Sequence, residues 1–175
     1  DGDMTYLGKA IPDYTYGINI SLAYKGLDLN VFGSGIGGND IFTVLYRADT
    51  PMRNSLKYFY DNAWTPENKN ASMPDPKAIA TDWHFWGSSA SMFSGAYFKI
   101  KQLQLGYTLP TEITQKALIN KLRLYVSLDD FFTFTKYPGV DPETATVSSA
   151  PERAGFDNGT YPQSKKITFG LNITF

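Results

Sequence analysis

The chain has 175 residues, a net charge of −1 and no cysteine. Its lysines and arginines are scattered and no zinc-finger or helix-turn-helix pattern occurs, so the sequence gives no support for nucleic-acid binding. The lack of cysteine excludes disulfide bonds and thiolate metal sites, and no run of about 18 apolar residues encodes a transmembrane helix.

The first predicted strand spans residues 14–24, where large apolar residues alternate with small or polar ones without a break. Such alternation is typical of a strand with two chemically different faces. Lys25 and Gly26 follow as a two-residue turn, and a second strand over 27–35 keeps the same phase. The two strands are therefore predicted to form a hairpin.

Three further strands are predicted at 96–109, 122–134 and 165–175. The first of these alternates clearly only in its second half, because Phe98 and Ile100 fall on the opposite face from the leucines that follow. The last, KKITFGLNITF, has a large apolar residue at every odd position and ends on an aromatic ring.

The connections between these strands are two short ones and two long ones, the latter over 36–95 and 135–164. In a meander, both long connections fall at one end of the sheet, as in outer-membrane barrels with long extracellular loops. The predicted fold is therefore all-β, an antiparallel transmembrane β-barrel segment. Five strands cannot close a barrel, so we expect a C-terminal piece of a larger one. A soluble β-sandwich also alternates and is the alternative.

Four stretches have a distinctive order and spacing: IPDYTYGINISLAYKGLDLNVFGSGIGGNDIF, YFKIKQLQLGYTLP, LRLYVSLDDFFTFTKYPGVDPE, and TYP with KKITFGLNITF. Together they resemble the C-terminal end of the SusC/RagA family, over nearly the whole chain apart from 43–94. The resemblance implies a TonB-dependent transporter of the Bacteroidetes outer membrane that imports oligosaccharides or peptides. Such a barrel has about 22 strands, of which this chain would supply the last five. The plug domain and TonB box are not in this sequence.

The resemblance also implies partners. They are a SusD/RagB-like surface lipoprotein that caps the barrel, the TonB complex acting through the missing N-terminal part, outer-membrane lipid, and the barrel-assembly machinery. Phe175 matches the C-terminal assembly signal of the family, and an aromatic anchor at the membrane interface is the other interpretation. No cofactor is implied. A self-contained carbohydrate-binding module and a passive porin remain alternative functions.

No enzymatic site is predicted. His84 is the single histidine, and no motif supplies partners for a zinc site or a catalytic triad. The glycine-rich GIGGND lacks the lysine of a phosphate loop and is expected to form a flexible rim. Asp141 and Glu143 are expected in a solvated loop.

The aromatic residues of the first long connection are the candidates for contact with substrate or partner. Flat rings stack on sugars and anchor protein interfaces, although packing within a core of the long connection is the favoured alternative. The candidates are Tyr58, Tyr60, Trp64, Trp83 and Trp86. On the fourth strand, Arg123, Tyr125 and Asp129 are expected to face the lumen, toward the plug or a passing substrate, with hydrogen bonding within the lumen favoured over recognition.

Overall fold

The structure is a computed structural model that describes residues 5–45, 56–75, 82–146 and 151–175. The strands are β1 (Tyr14–Tyr24), β2 (Leu27–Gly37), β3 (Asp40–Thr43), β4 (Met92–Ser94), β5 (Tyr97–Thr108), β6 (Lys121–Thr135), β7 (Phe156–Asp157) and β8 (Lys166–Thr174). The short helices are α1 (Lys57–Asp61), α2 (Trp83–Trp86), α3 (Thr111–Thr114) and α4 (Pro142–Thr146), with 3-10 turns at Ser89–Ser91, Gln115–Ala117 and Pro151–Arg153. The described part of the chain has no helix with the length and apolar character needed to cross a membrane.

The chain divides into two compact units. The strand unit consists of Thr15–Gly35, Phe98–Phe134 and Gln163–Phe175. The insert unit consists of Asp1–Tyr14, Ile36–Tyr97 and Thr135–Pro162.

The five long strands form one sheet in the order β1-β2-β5-β6-β8. This order follows the chain, as in a meander, and the all-β prediction is confirmed. The predicted hairpin between β1 and β2 is present, and its turn residues Lys25 and Gly26 have φ angles of 47° and 86°. Positive φ at both turn positions is the conformation that matches the twist of paired strands. Closure of a barrel needs strands outside this chain and stays a prediction.

The pairing of β6 with β8 places apolar residues opposite apolar ones and polar residues opposite polar ones. The strands are antiparallel, with Val126 opposite Phe169 and Ser127 opposite Thr168. Because successive side chains point to opposite faces, this register gathers the apolar residues on one face and the polar residues on the other. We call these the apolar face and the polar face of the strand unit.

The apolar face carries large exposed side chains on every strand of the sheet. Ile18 of β1 is 49% exposed and Phe169 of β8 is 80% exposed. Other exposed members are Tyr16, Ile20, Leu22, Tyr24, Leu27, Leu105, Tyr107, Leu124, Phe132, Phe134, Ile167, Leu171 and Ile173. A continuous apolar surface of this kind is unfavourable in water, so we expect lipid or protein to cover this face.

The ambiguous first half of β5 belongs to this apolar face. The ring of Phe98 stacks on Tyr16, with centroids 5.8 Å apart, and on Phe134, with centroids 6.3 Å apart. The alternation of β5 therefore changes phase after Phe98. In the same region Lys101 Nζ lies 3.3 Å from Asp130 Oδ1 of β6, and Asp130 has a φ of 57°, which is unusual within a strand.

The insert unit contains a second, smaller sheet in the order β4-β3-β7. Strand β3 pairs antiparallel with β4 and parallel with β7, so it joins the two long connections of the chain. Phe93 packs against two buried clusters, one containing Ile41 and Tyr137 and the other containing Phe59 and Trp86. The long connections are thus one packed unit with its own core.

Two expectations about the long connections were wrong. The segment GIGGND is no flexible rim: its first residues end β2, Gly38 makes the turn with a φ of 77°, and Asp40 begins β3. Asp141 is not in a solvated loop, because its side chain is 7% exposed and accepts a 3.0 Å hydrogen bond from the Glu143 backbone N–H at the start of α4. A helix start offers unpaired N–H groups, and an aspartate is well suited to accept from them.

Candidate functional site

Two of the candidate aromatic residues pack within the insert unit, Trp86 in its core and Tyr58 at the edge of that core, where it is 36% exposed. Trp86 is 4% exposed and meets Phe59 edge to face, with centroids 5.2 Å apart. Tyr58 meets Phe93 in the same way, with centroids 5.0 Å apart and ring planes at 88°. Edge-to-face pairs of this kind add to the stabilisation from burial. These two rings therefore hold the insert unit together.

Two other candidates present their rings to the outside. Tyr60 is 81% exposed and Trp64 is 42% exposed. The backbone at Trp64 is fixed, because its N–H donates to Met73 O at 2.8 Å beside a bridge between Ala63 and Met73. An exposed ring on a fixed backbone suits contact with a flat sugar or with another protein. The side chain of Trp83 lies outside the described part of the structure.

A buried polar cluster in the insert unit was not found from the sequence. The hydroxyl of Tyr137 donates to Asp157 Oδ2, and the other carboxylate oxygen accepts from Gly159 N–H at 2.9 Å. Asp157 is 3% exposed, and Thr43 opposite it on β3 is fully buried. Burial, together with the bond to Asp157, raises the pKa of Tyr137, since both disfavour a second negative charge there. The phenol is therefore neutral and donates to the carboxylate.

The polar face of the strand unit holds an ion pair that bridges distant parts of the sequence. Arg123 Nε donates to Asp28 Oδ1 at 2.8 Å, and Arg123 Nη2 donates to Oδ2 at 2.5 Å. Nη2 also donates to Gln104 Oε1 at 3.0 Å. The guanidinium lies over the ring of Tyr125, 5.0 Å from its centroid. Two parallel bonds to a carboxylate form the strongest pairing available to arginine.

Asp129 lies farther along the same face of β6. Its carboxylate accepts from Ser127 Oγ at 2.8 Å, and it stands opposite Lys166 in the register with β8. All three predicted lumen residues, Arg123, Tyr125 and Asp129, thus alternate on one side of β6. Phe175 directly follows β8 and is 80% exposed.

The described residues include no group of three histidine, aspartate or glutamate side chains that could hold a metal ion. His84 is exposed in α2, where its backbone N–H donates to Asp82 at 3.1 Å. The structure presents exposed rings on the insert unit, and a polar face and an apolar face on the strand unit.

Curated relatives match the chain almost from end to end. TonB-dependent receptor P3 of Formosa agariphila is 34% identical over 99% of this chain and 17% of its own length. TonB-dependent receptor P26 of the same organism is 26% identical over 99% of this chain and 18% of its own length. The chain therefore spans less than a fifth of the relatives it matches. No family model matches the sequence.

Solved structures of the RagAB system share this fold. A structure of the RagAB peptide transporter superposes with a TM-score of 0.73 at 25% identity, over 95% of this chain and 17% of that one. The RagAB peptide importer in its closed-closed state gives a TM-score of 0.71 at 24% identity, over 95% of this chain and 18% of that one.

Proposed function

The chain belongs to the TonB-dependent receptors and is similar to the SusC/RagA transporters, and we propose that the whole receptor imports oligosaccharides or peptides across an outer membrane. The observation that carries the proposal is the sheet of the strand unit, with one exposed apolar face and one polar face. Lipid covers the apolar face, and the polar face lines the lumen. No enzymatic step is part of this function.

In this proposal the chain supplies the last five strands of a barrel with about 22 strands. The edge strands β1 and β8 pair with strands outside this chain, because an open edge in lipid would leave backbone N–H and C=O groups without partners. The rest of the receptor provides the plug and the contact with the TonB complex. Phe175 at the end of the last strand is read by the barrel-assembly machinery.

We assign the insert unit to the extracellular side, where a SusD-like surface lipoprotein caps the barrel. Support comes from the size of the unit and from the exposed rings of Tyr60 and Trp64. Aromatic residues are over-represented at the centres of protein interfaces. The RagAB relatives are named as a peptide importer, which favours peptides as one substrate class.

The test is uptake by cells that carry the whole receptor. The gene is deleted and restored, and labelled oligosaccharide and peptide pools are supplied to strains with and without a functional TonB protein. We expect uptake of one pool to disappear on deletion, to return with the restored gene, and to require TonB. Uptake that continues without TonB would identify a passive porin instead.

A second measurement addresses the binding-module alternative. The native polypeptide is extracted from outer membranes and its intact mass is measured under denaturing conditions. The proposal expects a mass several times that of this chain. A polypeptide of the size of this chain alone would exclude the importer.

A further inference from the structure

The ion pair between Asp28 and Arg123 crosses a whole strand. Asp28 lies on β2, Arg123 lies on β6, and β5 runs between them. Neighbouring strands are about 4.8 Å apart, so the two side chains together cover roughly 10 Å of the sheet. Pairs of residues on adjacent strands are the usual unit of sheet stabilisation, and this one links three strands at once.

The crossing is possible because β5 has a glycine beneath it. A Cβ atom on Gly106 would stand 2.6 Å from Asp28 Oδ1 and 2.7 Å from Arg123 Cζ, closer than real Cβ atoms approach. The side chain of Arg123 therefore lies directly against the backbone of β5 at Gly106. Gln104, two residues earlier on the same face, accepts a further bond from the guanidinium.

A matching arrangement continues toward the last strand. Tyr125 stands opposite Gly170 of β8, and a Cβ atom on Gly170 would lie 2.5 Å from Tyr125 Cε1. The guanidinium of Arg123 rests over this tyrosine ring. One layer of flat side chains thus extends from β2 to β8, with a glycine beneath each crossing.

The guanidinium of Arg123 is already paired with groups of the sheet itself. Its Nε and Nη2 atoms are engaged by the carboxylate of Asp28 and the amide of Gln104, and the side chain is 16% exposed. If Arg123 left Asp28 to bind an anionic group of a substrate, the half-buried carboxylate of Asp28 would lose its cation. The geometry thus favours a structural role for Arg123 over recognition of a passing solute.

We propose that Arg123 acts as a clamp, a side chain whose bonds set the register of β2, β5 and β6 when the barrel assembles. It can cross β5 because Gly106 has no side chain. A slip of one residue would turn the Arg123 side chain or its partner to the apolar face, and a slip of two would move it about 7 Å along the strand, so neither of these registers forms the clamp. The proposal rests on the proposed function only in taking the whole receptor to be an outer-membrane barrel.

The first test compares two glycine substitutions in the whole receptor. Gly106→Ala forces the clamp apart, whereas a Cβ atom on Gly17 of β1 would meet its nearest neighbours at 3.6 and 3.9 Å, which is ordinary contact. We expect Gly106→Ala to lower the amount of folded receptor in the outer membrane. We also expect a lower conversion temperature, which is the temperature at which heated receptor changes from the gel mobility of the folded form to that of the unfolded form. Gly17→Ala should change neither. Equal behaviour of the two variants would overturn the proposal.

The second test uses Arg123 itself. Arg123→Ala should lower the same conversion temperature, and Arg123→Lys should fall between it and the natural protein, because an ammonium cannot form the two parallel bonds. Adding Gly106→Ala to Arg123→Ala should cost little more, since the arginine is gone and the Asp28 carboxylate, no longer held by it, can turn away from the new methyl group. Strict additivity of the two losses would contradict the clamp.

Uptake per folded receptor separates this proposal from the proposed function. We expect Arg123→Ala to reduce the number of folded receptors while each folded receptor keeps its uptake rate. A normal conversion temperature with reduced uptake per receptor would overturn the clamp and place Arg123 on the substrate path. Absence of import in the natural receptor would refute the proposed function and leave the gel-band test of the clamp intact.

Discussion

Phe59 and Trp86 meet edge to face in the insert unit, with their ring planes at 86° and both side chains almost fully buried. Truncation of a large buried ring removes this contact and leaves a cavity. We expect Trp86→Ala to destabilise the insert unit by about 3–5 kcal/mol. The measurement is native-state hydrogen exchange of the amides in α1 and β4 of the whole receptor.

The matched control for this truncation is Trp64→Ala. The ring of Trp64 is 42% exposed, so its removal leaves no cavity of similar size. Protection of the same amides should stay near that of the natural protein. If the two tryptophan variants lost protection equally, the core of the insert unit would not be where the structure has it.

The hydroxyl of Tyr137 provides a second prediction. Tyr137→Phe removes the donor to Asp157 and leaves a buried carboxylate oxygen without that partner. We expect a loss of stability of about 1–3 kcal/mol, the cost of an unsatisfied buried group. Protease resistance of the insert unit reports it, with Tyr161→Phe as the control because Tyr161 is 82% exposed. Equal resistance of the two variants would contradict the buried bond.

The raised pKa of Tyr137 predicts the alkaline behaviour of the same unit. An unfolded tyrosine loses its proton near pH 10, whereas the folded one still holds it, so above that pH the unfolded state binds fewer protons. This contribution to stability is therefore complete below about pH 10 and falls as the pH rises beyond it. A pH series of protease resistance should show the decline in the natural protein, with a smaller slope in Tyr137→Phe. Identical slopes would refute the assignment.

The two faces of β8 can be compared with one substitution each. Phe169 lies on the apolar face and Thr168 lies beside it on the polar face. In a barrel within lipid, Phe169→Lys should cost up to about 2–4 kcal/mol, whereas Thr168→Lys toward the lumen should cost much less. The amount of folded receptor in outer membranes measures both. Since both positions are exposed in this chain, a soluble module would tolerate the two lysines equally.

The exposed aromatic pair predicts a partner contact. If Tyr60 and Trp64 lie in the interface with a surface lipoprotein, alanine at either position should weaken the complex by more than about 1 kcal/mol, or roughly fivefold in Kd. Binding of the purified lipoprotein to detergent-solubilised receptor measures it. An unchanged Kd for both variants would remove these rings from the interface.

Local alternation was enough to predict the long strands, because each one reports its own two faces. Residues 14–24 are a clear case: the predicted and observed bounds of β1 coincide. The same rule could not resolve the start of β5, since the phase change after Phe98 depends on neighbouring strands. It also missed β3 and β7, which are four and two residues long and pair across more than a hundred positions.

The candidate sites show the same limit. The sequence predicted that Arg123 lies on the polar side of its strand, but its pairing with Asp28 spans 95 positions and has no local signal. Likewise, nothing in the pattern distinguishes Trp86, which is buried, from Trp64, which is exposed. Their difference arises from tertiary packing around Phe59 and Phe93.

The parallel pairing of β3 with β7 has a consequence for how such receptors diversify. Strand β3 comes from the first long connection and β7 from the second, and both connections contribute to the three-stranded sheet and to the cluster of Ile41, Tyr137 and Ala145. A recombination event that exchanged one connection between two receptors would strip the other of its partner strand. We therefore expect the two connections to be exchanged together. Hybrids that receive both from the same receptor should fold, whereas hybrids that receive only one should not.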